Sequence, residues 1–257
     1  MFAHLAEPSA ATGGIGVAFT DRSGGVTPGI MGSLNLGRTD VDDPANVLAN
    51  FQLVGERLGQ GRFATTSQTH TADVATVDGD WAAALTATSF LGSSWPGQPR
   101  LPFADALVTA QPGVVLAMRV ADCLPILLAD PQTGVIAAVH AGRPGLFAGI
   151  VAKAVQVMRG LGATRIDALI GPHVCGRCYE VPGEMVDALS PVLPQTRSTT
   201  SWGTPSLDLA AGARAQLAAL GCRVEVLPGC TRTDQSLHSH RRDGAGAGRL
   251  AGLIWRR

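Results

Sequence analysis

Two imidazoles and one thiol close three strand-like stretches of this chain. His70 ends FATTSQTH (63–70), Cys123 ends VVLAMRVADC (114–123) and His140 ends VIAAVH (135–140). Each run gives way to a loop containing Gly, Pro or Asp, so all three side chains are expected at strand ends, where a rigid sheet presents chemistry on its loops. A Cys/His/His set fills three positions around a tetrahedral Zn²⁺ and leaves the fourth open for water or substrate, whereas structural zinc sites usually close all four with protein ligands. An open position points to catalysis. Taken singly, each residue has an ordinary reading: a Cys in an apolar strand is a small buried hydrophobe, and a strand-end His is a hydrogen-bonded surface residue. The wide separations make the spacing alone a weak pattern.

The surrounding text strengthens it. The segments SLNLGRTDVDDPANVLAN (33–50), SQTHTADV (67–74), ADALVT (104–109), ADCLPILLAD (121–130), VHAGRPG (139–145), IGPHVCGRCYEV (170–181) and SHRRDGAGAGRLAGLIW (239–255) resemble the YfiH-type laccase-domain family, nearly end to end and in order. That family is described as zinc-dependent purine nucleoside phosphorylases, earlier as polyphenol oxidases. The resemblance implies a single domain over 1–257 of α+β class, with a mixed, largely antiparallel β core covered by helices. It implies His70, Cys123 and His140 as ligands of zinc, with copper as an alternative occupant because Cu²⁺ outcompetes Zn²⁺ at most N/S sites. It also implies phosphorolysis of adenosine, inosine, guanosine or methylthioadenosine, and deamination of adenosine, with purine nucleosides and phosphate as partners. One departure stands out. The family usually reads His-Ala-Gly-Trp-Arg-Gly where this chain has His140-Ala-Gly-Arg-Pro-Gly145, so the aromatic is lost and the Arg is displaced by one position.

Roles follow for further residues. Deamination needs a proton carrier, and Asp122, beside Cys123, is a candidate, with a turn or metal-supporting role as its alternative. Phosphate needs a cation, for which Arg143 and Arg242 are the candidates. A second reading makes Cys123 a nucleophile with His140 as its base, giving an amide hydrolase acting on cell-wall precursors; His70 is then optional. A third makes the chain a binding module whose metal only staples loops. A multicopper oxidase needs two His and a Cys at a blue-copper centre and several more imidazoles at a trinuclear cluster, which the six His of this chain cannot supply. Cys175-Gly-Arg-Cys178 has CxxC spacing but no second pair and no thioredoxin-like context. Gly244–Gly248 lacks the strand-to-helix setting of a nucleotide loop and reads as flexible.

Several elements must position these residues. PILLAD and VIAAVH flank Pro131-Gln-Thr-Gly134 and read as a hairpin that brings Cys123 and His140 to one rim. Asp43-Pro44 followed by Val47, Leu48, Phe51, Val54 and Leu58 reads as a capped packing helix. Residues 146–162 read as one helix whose N-terminus, directly after the altered loop, is a natural phosphate site. Another helix is expected at 208–220, capped by Asp208, and 79–103 reads as a long loop or lid. With 46% hydrophobic and 16% charged residues the 257-residue chain can bury a substantial core. Arg119, Asp122 and Pro125 break the longest apolar run, which excludes a membrane span there. No signal segment is read, and five cysteines, an odd number, argue against a disulfide framework, so the cytoplasm is expected. Zero net charge gives no reason to expect nucleic acid or anionic membrane as partner, and nothing sets an oligomeric state.

Overall fold

The computed structural model describes residues 1–37 and 40–257. Among them, five strands lie in the order Phe2–Ala6, Ile15–Thr20, Leu250–Arg256, Val115–Val120, Phe63–Ala64. Six more lie in the order Arg223–Val226, Asp167–Ile170, Leu124–Ala129, Ile136–Ala141, Ala106–Thr109, Val74–Thr76. Most neighbours are antiparallel; Phe63–Ala64, Val74–Thr76 and Arg223–Val226 each join by a parallel pairing. This is the expected mixed, largely antiparallel core.

The two sheets pack face to face, and helices cover both outer faces. Ile254, Leu116, Leu127 and Ala138 meet between the sheets, with Phe19 among them. Their neighbours along the same strands, such as Leu253, Trp255, Ile126 and Val139, face outward onto helices. Strands buried on both faces cannot alternate apolar with polar, which is why VVLAMRV, PILLA and VIAAVH are continuous apolar runs.

Helix Pro44–Leu58 covers the five-stranded sheet with Val47, Phe51, Val54 and Leu58. Asp43 caps it by accepting from the Ala45 N–H at 2.8 Å, as the sequence predicts. Helices Ile150–Gly160 and Leu209–Ala219 cover the six-stranded sheet, the second capped by Asp208 through the Ala211 N–H at 2.9 Å. The expected hairpin is present: Leu124–Ala129 pairs with Ile136–Ala141 so that Pro125 faces His140. Its turn closes through Gly134 N–H to the Asp130 carbonyl, with Gly134 at φ 74°.

Three expectations need correction. The helix expected over 146–162 is two helices, Arg143–Phe147 and Ile150–Gly160, separated by Gly149 at φ 87°. A left-handed residue cannot continue an α-helix, so the helix that starts beside the altered loop has only five residues. The 79–103 stretch is packed: it contains helix Gly79–Ala84 and a 3₁₀ segment Ser89–Ser94, whose Phe90 ring stacks on Phe51 at 4.0 Å. The 63–70 run is a strand only at Phe63–Ala64; Ser67 bridges to Phe103, and His70 sits on a bend at φ 62°. Among the described residues no helix is long and apolar enough to cross a membrane.

Candidate metal centre

His140 is the penultimate residue of its strand, and its ring is buried. Its Nδ1 donates to Asp105 Oδ1 at 2.7 Å, and its backbone N–H donates to the Asp105 carbonyl at 2.7 Å. With Nδ1 occupied, Nε2 is the nitrogen available to a ligand, the arrangement by which a carboxylate orients a metal-binding imidazole. Asp105, fully buried just before strand Ala106–Thr109, also accepts from the backbone N–H groups of Thr69 at 3.2 Å, His70 at 3.1 Å and Thr71 at 2.7 Å. The Thr71 hydroxyl adds a fourth donor at 3.0 Å. One carboxylate thus fixes the His140 imidazole and the His70 backbone, and its bonds hold His70 in the left-handed region, which non-glycine residues seldom adopt.

Gln68 anchors the same loop to the other sheet. Its amide donates to the Arg119 carbonyl at 2.8 Å and accepts from the Arg119 N–H at 2.9 Å, extending the pairing of strand Val115–Val120 by a side chain. Cys123 lies on the short link that carries the chain from that strand into Leu124–Ala129 of the second sheet. Its Sγ is 3.6 Å from His70 Nε2, the two imidazole rings stand 4.8 Å apart, and the three donor atoms all lie within 4.8 Å of one another.

The cluster shares charge before any metal is considered. Burial opposes ionisation of Cys123, yet hydrogen bonds from His140 and His70 hold its thiol down at about 6. Burial likewise opposes the charged form of His140, but its bonds to Asp105 and Cys123 raise it to about 9. Asp105, also penalised by burial, is held at about 2 by His140 and Thr71. A thiolate and two convergent imidazoles form the N₂S donor set that suits zinc with one position open. The backbone leaves room for it only because residue 142 is glycine: a Cβ there would lie on the His70 ring and 3.1 Å from Cys123 Sγ.

The other residues singled out from the sequence fall in different places. Asp122, at φ 88°, has both carboxylate oxygens engaged, by the Thr231 hydroxyl at 2.6 Å and the Arg241 N–H at 2.6 Å. It locks the Cys123 link to two distant loops. Arg242 is spent on structure: its guanidinium donates to the carbonyls of Thr231, Asp234 and Leu237 and to both oxygens of Asp243. It has no donor left for a substrate, which corrects its assignment as a phosphate ligand. Arg143 opens its short helix half-buried and is not among the residues lining the cavity at the donor cluster.

That cavity, about 490 Å³, lies within the usual range of small-molecule sites. Besides the three donors, Gln68, Arg119, Arg249 and His240 line it. Burial and the neighbouring Arg249 push the Arg119 guanidinium down to about 10, so Arg119 remains cationic at neutral pH, and Asp40 lines the same cavity. Sequence reasoning missed Asp105, Arg119, Arg249 and His240. Only Asp105 carried a signal, an acid opening the apolar run ALVT; the rest are brought in by folding.

A family model described as multi-copper polyphenol oxidoreductase laccase matches residues 16–257. The chain is 47% identical to purine nucleoside phosphorylase ORF3 of Streptomyces griseus over 95% of each chain. It is 43% identical to purine nucleoside phosphorylase Rv2149c of Mycobacterium tuberculosis over 92% of this chain and 90% of that one. Among solved structures, YlmD from Geobacillus stearothermophilus superposes with a TM-score of 0.84 at 30% identity, covering 100% of this chain and 98% of that one. Protein NMB0706 of Neisseria meningitidis gives 0.79 at 31% identity, covering 99% and 98%. With sequence match, fold and donor set in accord, the chain belongs to the YfiH-type, laccase-like family.

Proposed function

We propose that this chain is a zinc-dependent purine nucleoside phosphorylase that also deaminates adenosine. In phosphorolysis a phosphate oxygen bonds to C1′ of adenosine, inosine, guanosine or methylthioadenosine while the C1′–N9 bond breaks, giving free base and sugar 1-phosphate. In deamination water adds at C6 of adenosine and ammonia leaves, giving inosine. The observation that carries the reading is a single cavity holding His70, Cys123 and His140 beside Arg119 and Arg249. The names of relatives at 47% and 43% identity support it.

His70, Cys123 and His140 would hold the zinc, which would supply Lewis-acid assistance to an oxygen nucleophile at neutral pH. The chain's own groups do the rest. Arg119 and Arg249 attract the phosphate dianion and are relieved of mutual repulsion by it. Asp105 holds the His140 imidazole and the His70 backbone in place. Asp122, bonded on both oxygens, positions Cys123, so the proton-carrying role expected of it passes to His240, whose Nδ1 donates to the Gly244 carbonyl at 3.0 Å and leaves Nε2 open.

The test is an assay of purified protein with metal content measured in parallel. Inosine with phosphate should give hypoxanthine and ribose 1-phosphate, and adenosine without phosphate should give inosine. His70→Ala, Cys123→Ala and His140→Ala should each lower bound zinc by about one per chain relative to wild type, with activity falling together. Arg249→Ala should raise the phosphate KM by about 10–100-fold, the scale of a lost charged hydrogen bond, while Arg143→Ala leaves it unchanged; the reverse ranking would return the phosphate to Arg143. Fully metallated protein inert on all these nucleosides would sink the reading. A thiol held at about 6 also suits a nucleophile, so a substrate-derived adduct on Cys123, with activity surviving in His70→Ala, would establish the amide hydrolase instead.

A further inference from the structure

A second group of donors lies away from the cavity. Cys175, Cys178 and Cys230 are free thiols whose sulfurs all lie within 4.8 Å of one another. The CxxC pair lacks a second CxxC in sequence, but folding supplies a third thiol from a position 52 residues beyond Cys178. Each half of the cluster is a tight turn that begins at a cysteine. Cys178 and Tyr179 donate their N–H groups to the Cys175 carbonyl, both at 2.9 Å; Thr233 and Asp234 donate theirs to the Cys230 carbonyl at 3.1 and 2.9 Å. The turns are joined by a bridge between His173 and Cys230 and by the Cys175 N–H, which points at Cys230 Sγ from 3.4 Å. That N–H, aimed at the Cys230 sulfur, favours the thiolate there, the form that binds metal.

We propose that Cys175, Cys178 and Cys230 bind a second thiophilic metal ion, Zn²⁺ or Cu⁺, separate from the His70/Cys123/His140 centre. Zn–S bonds of about 2.3 Å in tetrahedral geometry place sulfurs about 3.8 Å apart, which this cluster reaches by a small contraction. Soft thiolates select these two ions over hard cations. The excess negative charge of three thiolates is met by Arg232, which donates to the Cys178 carbonyl at 3.1 Å and stacks 4.5 Å over Trp202. Cys175 and Cys230 are only half-buried, so an ion has a route in and water can fill the remaining position. The ion ties the 173–179 loop to the 230–234 turn, whose Thr231 hydroxyl holds Asp122 at 2.6 Å beside Cys123. Its role is to brace the link that carries Cys123.

The experiment uses the full chain as wild type, as Cys123→Ala, and as Cys175→Ser/Cys178→Ser/Cys230→Ser. Each is reduced, stripped of metal, reloaded anaerobically with Zn²⁺ or Cu⁺ in excess of two per chain, desalted and analysed for bound metal. Cys123→Ala should hold one ion per chain, and the triple variant should hold one fewer than wild type; this difference stands whether or not the first centre binds zinc. The ion that stays stoichiometrically bound after desalting identifies the occupant. In metal-loaded wild type, mass spectrometry after iodoacetamide should show Cys175, Cys178 and Cys230 protected together. Equal metal in wild type and triple variant overturns the proposal. So does alkylation of the three thiols at the metal-free rate in loaded wild type, a measurement that needs no variant to fold. A disulfide between two of them forming in the presence of excess zinc would also overturn it, in favour of a redox pair.

Discussion

Asp105 shows how much of a candidate metal site lies outside its donor atoms. It carries the His140 imidazole on one oxygen and the 69–71 backbone on both. Asp105→Asn preserves size but replaces an acceptor with an amide donor facing N–H groups. The expected result is a zinc affinity about 10–100-fold weaker, measured by competition with a chromophoric chelator, with the protein still folded by circular dichroism. Undiminished affinity would show that the three donors need no support. Gly142 tests the opposite property, empty space. Its φ of −73° suits any residue, so Gly142→Ala should leave folding intact, yet the added methyl must displace the His70 ring. The expected outcome is a loss of more than half an equivalent of zinc relative to wild type, with the thermal stability of the metal-free proteins nearly equal; undiminished zinc would mean that the ring has an alternative pose that still binds.

The hairpin that presents Cys123 and His140 is held at its far end by Asp130. That buried carboxylate accepts from the N–H groups of Gln132 at 2.9 Å and Thr133 at 3.3 Å within the turn, and from Thr164 at 2.6 Å and Arg165 at 3.1 Å across to the next loop. Burial acts to raise its pKa, but these four donors hold it at about 2, below the ordinary 3.8. A depressed carboxyl stabilises the fold when ionised, so its contribution is present above about pH 4 and is lost as pH falls through about 2. Asp130→Asn should lower stability by about 1–3 kcal/mol at neutral pH, and the denaturant midpoint of the variant should fall less steeply than wild type between pH 4 and pH 2. Parallel pH profiles would remove Asp130 as the cause.

Across the whole molecule, the first centre sits where the two sheets exchange chain. His140 comes from a six-stranded sheet, His70 from a loop pinned by Gln68 to the five-stranded sheet, and Cys123 from the link between them. Both sheets are packed through apolar contacts that owe nothing to a metal. Chelation should therefore leave a cooperatively unfolding protein with unchanged far-ultraviolet circular dichroism. At metal about 100-fold above its Kd, the lost ligand stabilisation of about 2.7 kcal/mol corresponds to a Tm lower by about 5–10 °C for a chain of this size. Unfolding on chelation would instead favour a binding module stapled by its metal.

The capped helices at 44–58 and 208–220 and the hairpin were legible in the sequence because each rests on local rules, an Asp before a helix or a Gly-ended turn between apolar runs, whereas His70, Cys123 and His140 form only a weak pattern by spacing and were singled out by the resemblance. The resemblance to a family gave the order in which such pieces assemble. What the sequence could not show is convergence. Arg119 and Arg249, 130 positions apart, face one cavity only because strands Val115–Val120 and Leu250–Arg256 are neighbours. Arg242, equally basic and close in sequence, is consumed by carbonyls and Asp243. Cys230 joins a distant CxxC for the same reason. Charge and thiol content are properties of residues and can be read one by one; which side chains meet is decided by tertiary packing, because a side chain's chemistry depends on the partners that burial assigns to it.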